Sequence, residues 1–298
     1  MIDESSHWPA QVRTLEDVST IEALAERVTT PCGEGEMVWR IWGDPQGSPL
    51  LLLHGGSGSW NHWVRNLAAL ARCGRRVLVP DMPGFGDSDA PPDGSDADAL
   101  PRWLELGVRH LLGARTIDVA GFSFGALTGG LWARDHPGRI DHLVLSGAPS
   151  LSPDSLPRMA LRDWRSVAEG PERHAVHRDN LLRLMLAQQT SADDLAITLH
   201  AANVVRDKLR SRRLPRTDIL LRHLPALTCQ LSGIWGADDV LYRHRRDMIG
   251  KALALAPRFR GLTLIPDAGH WVAFEAADAY DAALASALGH RPGRAAEH

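Results

Sequence analysis

The chain is short of tyrosine, of cysteine and of long apolar runs, and it carries little excess charge. Its three cysteines, Cys32, Cys73 and Cys229, stand far apart with no C-x-x-C pair. That argues against a disulfide framework and for thiols kept reduced. A net charge of −3 over 298 residues makes no case for nucleic acid or a membrane surface as a partner. No apolar run approaches the roughly 20 residues of a spanning helix. The start, Met1-Ile2-Asp3-Glu4, is acidic, with no apolar signal core behind it. The expectation is a soluble, cytoplasmic protein acting on a small molecule. His174 and His177 are spaced H-x-x-H, but no carboxylate or cysteine ligand set accompanies them, so no metal is expected. No cofactor is expected either. The glycine-rich run after Leu53 lacks a Gly-Lys-Ser/Thr, and Asn61 takes the third glycine position of G-x-G-x-x-G.

What is present is an alternation of short apolar runs and helical patterns. With 44% hydrophobic residues, the chain can build one large α/β domain with an insertion, or two small domains. Pro49–Leu53, Arg75–Pro80, Thr116–Ala120, Ile140–Ser146, Cys229–Trp235 and Leu262–Ile265 read as strands, and Glu36–Trp42 as an alternating one. Helices are expected over Leu100–Leu112, Tyr242–Ala256 and Ala277–Leu288. Residues 1–30 read as an N-terminal extension. Leu15, Val18, Ile21, Leu24 and Val28 there fall at helical spacing, leaving open packing on the body or a homodimer contact. Residues 31–149 and 225–290 would form the core, and 291–298 a frayed tail. Strand-like runs vanish between about 150 and 224, where Leu, Met and Ala recur at helical spacing. That stretch is read as a helical cap. From Leu151 to Leu224 it holds 13 Lys/Arg against 9 Asp/Glu, so it is basic within an acidic chain.

The chain is organised around Gly121-Phe122-Ser123-Phe124-Gly125, which lies between a strand and a helix. In that context G-x-S-x-G reads as a nucleophile elbow. The two glycines let strand and helix pass closely, and the serine hydroxyl is lifted above the sheet at a helix N-terminus. Asp239 follows the next-to-last strand and His270 the last. A histidine can take the serine proton near neutral pH, and a carboxylate fixes its tautomer. Backbone N–H groups of Gly56 and Phe124 are the candidate oxyanion hole. His54, at the end of its strand, reads as a buried residue that pins the glycine loop.

In this order the motifs resemble the α/β-hydrolase superfamily, in its esterase, lactonase and C–C hydrolase branch. The landmarks are His54-Gly55-Gly56, Asp81-Met82-Pro83-Gly84-Phe85-Gly86-Asp87-Ser88, the Ser123 elbow, Gly236-Ala237-Asp238-Asp239 and Gly269-His270. The resemblance implies a mostly parallel, doubly wound sheet with an inserted helical cap. It also implies a Ser123–His270–Asp239 triad, with Asp239 favoured over Asp238 by its spacing from Gly236. Trp60, Arg65, Asn66 and Trp271 are similar to the meta-cleavage C–C hydrolase group. Phe122 and His62, however, stand where that group has asparagines, and its carboxylate-binding cap arginine aligns near Asn203. Haloalkane dehalogenases and epoxide hydrolases carry an aspartate at the elbow, where this chain has Ser123. Cofactor-free haloperoxidases carry a similar serine elbow.

The activity so implied is hydrolysis of a small, hydrophobic or aromatic carboxylic ester or lactone through an acyl-enzyme. The alternatives are C–C bond hydrolysis of vinylogous diketone acids and a non-catalytic, receptor-like use of the fold. Phe122, Phe124 and Trp271 flank catalytic positions, so they are expected to line the pocket. His62 and the arginines of the cap are the candidate polar anchors, with one acidic group on the substrate as their partner.

Overall fold

The computed structural model describes residues 8–289 other than 155, 156, 158 and 210. The expected tail at 291–298 and the acidic start lie outside the described residues. Eight strands form one sheet in the order β1-β2-β4-β3-β5-β6-β7-β8. They are β1 (Glu26–Cys32), β2 (Gly35–Gly43), β3 (Ser48–Leu53), β4 (Arg75–Pro80), β5 (Ile117–Phe122), β6 (Ile140–Ser146), β7 (Gln230–Gly236) and β8 (Phe259–Ile265). β1 pairs antiparallel with β2 and β2 with β4, and from β4 through β3 to β8 every pairing is parallel.

The central strands are apolar throughout because both faces of the sheet are covered. Along β3, Leu51 and Leu53 pack into one core layer and Leu50 and Leu52 into the other. The helices divide accordingly. They are α1 (Leu15–Ala23), α2 (Leu67–Arg72), α3 (Pro101–Leu112), α4 (Phe124–Asp135), α5 (Pro171–Leu184), α6 (Asp194–Val205), α7 (Ile219–His223), α8 (Arg246–Leu253), α9 (Val272–Glu275) and α10 (Ala277–Leu288). Trp103, Leu127 and Leu253 place α3, α4 and α8 on the Leu51 side, and Ile21, Leu67 and Leu284 place α1, α2 and α10 on the Leu50 side. This is the doubly wound arrangement, and α5 to α7 are inserted between β6 and β7.

Two elements depart from the sequence expectations. β1 begins inside the stretch read as an extension and runs past its end, and it pairs with β2 in full register from Glu26↔Ile41 to Cys32↔Gly35. It is an edge strand with only Thr30 and Cys32 buried, and Pro31 interrupts its pattern, so no continuous apolar run marks it. Ahead of it, α1 starts at a capping box. The Thr14 hydroxyl accepts from the N–H of Asp17, and the Asp17 carboxylate accepts from the N–H of Thr14 at 2.8 Å. The helix expected over Tyr242–Ala256 begins only at Arg246. Tyr242 instead turns inward and donates its hydroxyl to the carbonyl of Ala148.

The strand order sets the position of the site. From β3 the chain moves to β4 on one side and then returns to β5 on the other, so the switch point lies beyond the C-terminal ends of β3 and β5. Ligands of open α/β sheets bind in that crevice. Among the described residues, no helix is long and apolar enough to cross a membrane.

Candidate active site

Ser123 follows the last residue of β5 and precedes the first of α4, with φ 51° and ψ −113°. A non-glycine residue rarely adopts a positive φ, and here the surrounding backbone enforces it. The Ser123 N–H donates to the carbonyl of Ser146 on β6 at 2.8 Å. A Cβ on Gly121 would stand 2.7 Å from the Cα of Ala126, and one on Gly125 would overlap the carbonyl oxygens of Leu53 and His54. Strand and helix therefore meet so closely that only glycine fits two positions before and two positions after the serine.

Three loops converge on that hydroxyl. His270, after β8, places Nε2 2.9 Å from Ser123 Oγ and Nδ1 2.9 Å from Asp239 Oδ2. Asp239, after β7, is buried, and its other oxygen accepts from the N–H of Leu241 at 3.0 Å. The carboxylate is thus held at both oxygens. It favours the tautomer with the proton on Nδ1, which leaves Nε2 as the acceptor for the serine O–H. Asp238 lies elsewhere, partly exposed and 3.4 Å from Arg246.

The third loop is Gly55–Ser59, after β3. His54 is fully buried beneath it, with Nδ1 2.8 Å from the carbonyl of Gly55 and Nε2 accepting from the N–H of Met82 at 2.9 Å. Burial lowers its pKa, which agrees with a neutral ring in both bonds. Asp81 accepts from the N–H of Trp60 at 2.7 Å. Among the described residues, the N–H of Gly56 has no acceptor. Phe124, as the first residue of α4, has no acceptor within its helix.

A cavity of about 640 Å³ opens over Ser123 and His270. Its walls include Phe122, Phe124, Met159, Leu161, Leu184 and Met185, and two arginines, Arg212 and Arg216, reach it from the insertion. Arg212 pairs with Asp207 through both nitrogens, at 3.1 and 2.9 Å, whereas Arg216 has no ion-pair partner among the described residues.

The expected positions of His62 and Trp271 are corrected by this arrangement, for neither lies in the cavity wall. His62 sits behind the glycine loop, where its Nδ1 accepts from the N–H of Gly55 at 3.2 Å. Its ring packs on Phe122 and Trp271, with centroids 5.6 and 4.7 Å away. Burial, reinforced by His54, His200 and His270, holds its pKa well below the ordinary value, so it is a neutral support. Trp271 is buried, stacks on Phe274 at 4.1 Å and donates its indole N–H to the carbonyl of His62. Chain adjacency to His270 suggested the pocket, but the Trp271 indole turns away from it, towards His62 and Phe274. Asn203, where the carboxylate-binding arginine was aligned, is also buried and is engaged by Ser59 and Asn61. The basic composition of the insertion signalled that arginines were available, but no spacing singled out Arg212 and Arg216.

Comparison with known proteins agrees with the fold. The family described as the alpha/beta hydrolase fold matches residues 48–233, from β3 into β7. A 2-hydroxy-6-oxo-6-phenylhexa-2,4-dienoate hydrolase from Burkholderia cepacia is 25% identical over 251 residues, covering 79% of this chain and 86% of its own. A carboxylesterase from Bacillus subtilis superposes with a TM-score of 0.75 at 18% identity, over 97% of this chain and 96% of its own. A putative aryl esterase from Burkholderia cenocepacia does so with a TM-score of 0.69 at 24% identity, over 89% and 97%. Since the family match takes in the β3 loop, the switch point and the Ser123 elbow, the chain belongs to the α/β-hydrolase family of enzymes.

Proposed function

We propose that the protein is a serine hydrolase that cleaves a small, hydrophobic or aromatic carboxylic ester or lactone through an acyl-enzyme, beneath a helical cap formed by residues 150–224. The observation that carries this reading is the unbroken hydrogen-bonded line Ser123–His270–Asp239 at the floor of a mostly apolar cavity. Ser123 Oγ attacks the carbonyl carbon while His270 Nε2 takes its proton. The carbonyl oxygen becomes an oxyanion within reach of the Gly56 and Phe124 N–H groups, a contribution of about 3 kcal/mol per donor. His270 then returns the proton to the departing alkoxide. A water, deprotonated by the same nitrogen, releases the acid. Asp239 stays ionised and holds the imidazolium.

Ser123→Ala tests the reading. Wild type should hydrolyse short aryl esters and be labelled by a fluorophosphonate, and the variant should do neither while melting at the same temperature. Retained turnover in the variant rejects the assignment. Wild type that neither labels nor turns over points to the receptor-like use of the fold.

A second reading has its own support. The Burkholderia cepacia relative is named for a dienoate, and Arg216, with no ion-pair partner among the described residues, offers its guanidinium to an acidic group on such a substrate. A larger kcat/KM on a 2-hydroxy-6-oxo-dienoate than on any ester would move the assignment to C–C hydrolysis.

A further inference from the structure

The loop that carries Gly56 is tied to the insertion by side chains far away in sequence. Ser57 has φ 52°, in the left-handed region that a serine seldom adopts. Its hydroxyl donates to Asp207 Oδ2 at 2.5 Å, across 150 positions of chain. Asp207 is buried, and it also accepts from the N–H of Leu209 at 2.9 Å and from both terminal nitrogens of Arg212. Arg212 Nη2 in turn lies 3.2 Å from Ser57 Oγ, which closes a three-membered ring of hydrogen bonds. The guanidinium rests over the rings of Phe85 and Phe124, at 5.2 and 5.3 Å. Its central carbon would be 3.6 Å from a Cβ placed on Gly56. Two residues further along the loop, Ser59 Oγ donates to Asn203 Oδ1 at 2.9 Å.

We infer that Asp207 is a positioning residue for the reaction: by holding the Ser57 hydroxyl it aims the neighbouring Gly56 N–H at the oxyanion. Arg212 holds the carboxylate at the angle this requires. The inference rests on the proposed acyl-enzyme mechanism. It gives the stem of the insertion a part in the chemistry beyond covering the cavity. A loop with two glycines in succession has many accessible conformations, and preorganised donors are effective only when they do not have to reorient during the reaction. The Ser57–Asp207 bond removes that freedom from the one residue adjoining Gly56 that has a side chain able to be held.

The test is a double-mutant cycle read in kcat and KM on an aryl ester. Asp207→Ala and Ser57→Ala should each lower kcat by about 10- to 100-fold, with KM within about threefold of wild type, because the lost term belongs to the transition state. The double variant should be no worse than the poorer single one, since both substitutions break the same bond. Losses in kcat that multiply, a loss confined to KM, or an unchanged or raised kcat would overturn the inference. If Asp207→Ala does not fold, Ser57→Ala decides alone, and a kcat within twofold of wild type overturns it. Fluorophosphonate labelling of wild type in the same experiment separates the two levels. An unlabelled wild type sinks the mechanism itself, whereas a labelled wild type with indifferent variants sinks only the role of Asp207.

Discussion

The indole N–H of Trp271 donates to the carbonyl of His62 at 2.9 Å, so the residue after His270 is fastened to the back of the glycine loop and not to the cavity. Its neighbours there are the Phe274 and His62 rings. Trp271→Ala should therefore cost stability, about 3–5 kcal/mol for a buried large side chain. It should lower kcat/KM for bulky aryl esters and for a short acetyl ester by the same factor. Chemical denaturation measures the first and a two-substrate comparison the second. A selective loss on the bulky substrate would return Trp271 to the pocket.

Asp239 and Asp238 are neighbours with different surroundings. Asp239 is 1% exposed and bonded to His270, whereas Asp238 faces Arg246 near the surface. Asp239→Asn should lower kcat by about a thousandfold or more, because the amide favours the wrong imidazole tautomer. Asp238→Asn should leave kcat within about twofold. Equal effects would contradict the assignment of the acid.

Asp281 on α10 supplies a pH dependence of stability. Burial pushes its carboxyl up to about 7, and the hydrogen bond from Asn66 offsets only part of this. Between the ordinary carboxylate value and about 7, the folded state keeps the proton and the unfolded state has lost it. Stability from this group therefore falls as pH rises through that window and levels off above it. Asp281→Asn removes the charge, and its amide can also donate towards Asn66 Oδ1, which lacks a partner among the described residues. The variant should be more stable than wild type by on the order of 1–2 kcal/mol at pH 8, after allowing for the partial exposure of the carboxyl. The gain should be smaller at pH 5 and vanish only below the ordinary carboxylate value. Melting curves at the two pH values check it, and a gain independent of pH would show that the charge is not the cause.

Much of this molecule was legible in its sequence, and physical reasons separate what was from what was not. β3 to β7 are covered on both faces, so apolar runs mark them. β1 and the first half of β8 lie at the sheet edges, where Arg27, Thr29 and Arg260 satisfy their surroundings as well as an apolar residue would. Ser123, Asp239 and His270 sit in turns whose local chemistry is written in a few adjacent residues. Arg212, Arg216 and Asp207 reach the site only through the packing of the insertion, which no local pattern encodes. His62 and Trp271 were close to the site in sequence, but proximity along a chain does not say which way a side chain faces.

Ser123 and His270 are 147 positions apart, and each is presented by its own strand end. A chain emerging from the ribosome shows its elbow long before its base. Domains fold as synthesis proceeds, at about 5–20 residues per second, so Ser123 precedes its proposed base by several seconds. On the proposed mechanism, hydrolytic competence appears only when β7 and β8 have docked at the far edge of the sheet. On that mechanism the first turnover reports the completed sheet, and a chain cut anywhere before residue 270 should be silent however well its remaining strands have packed.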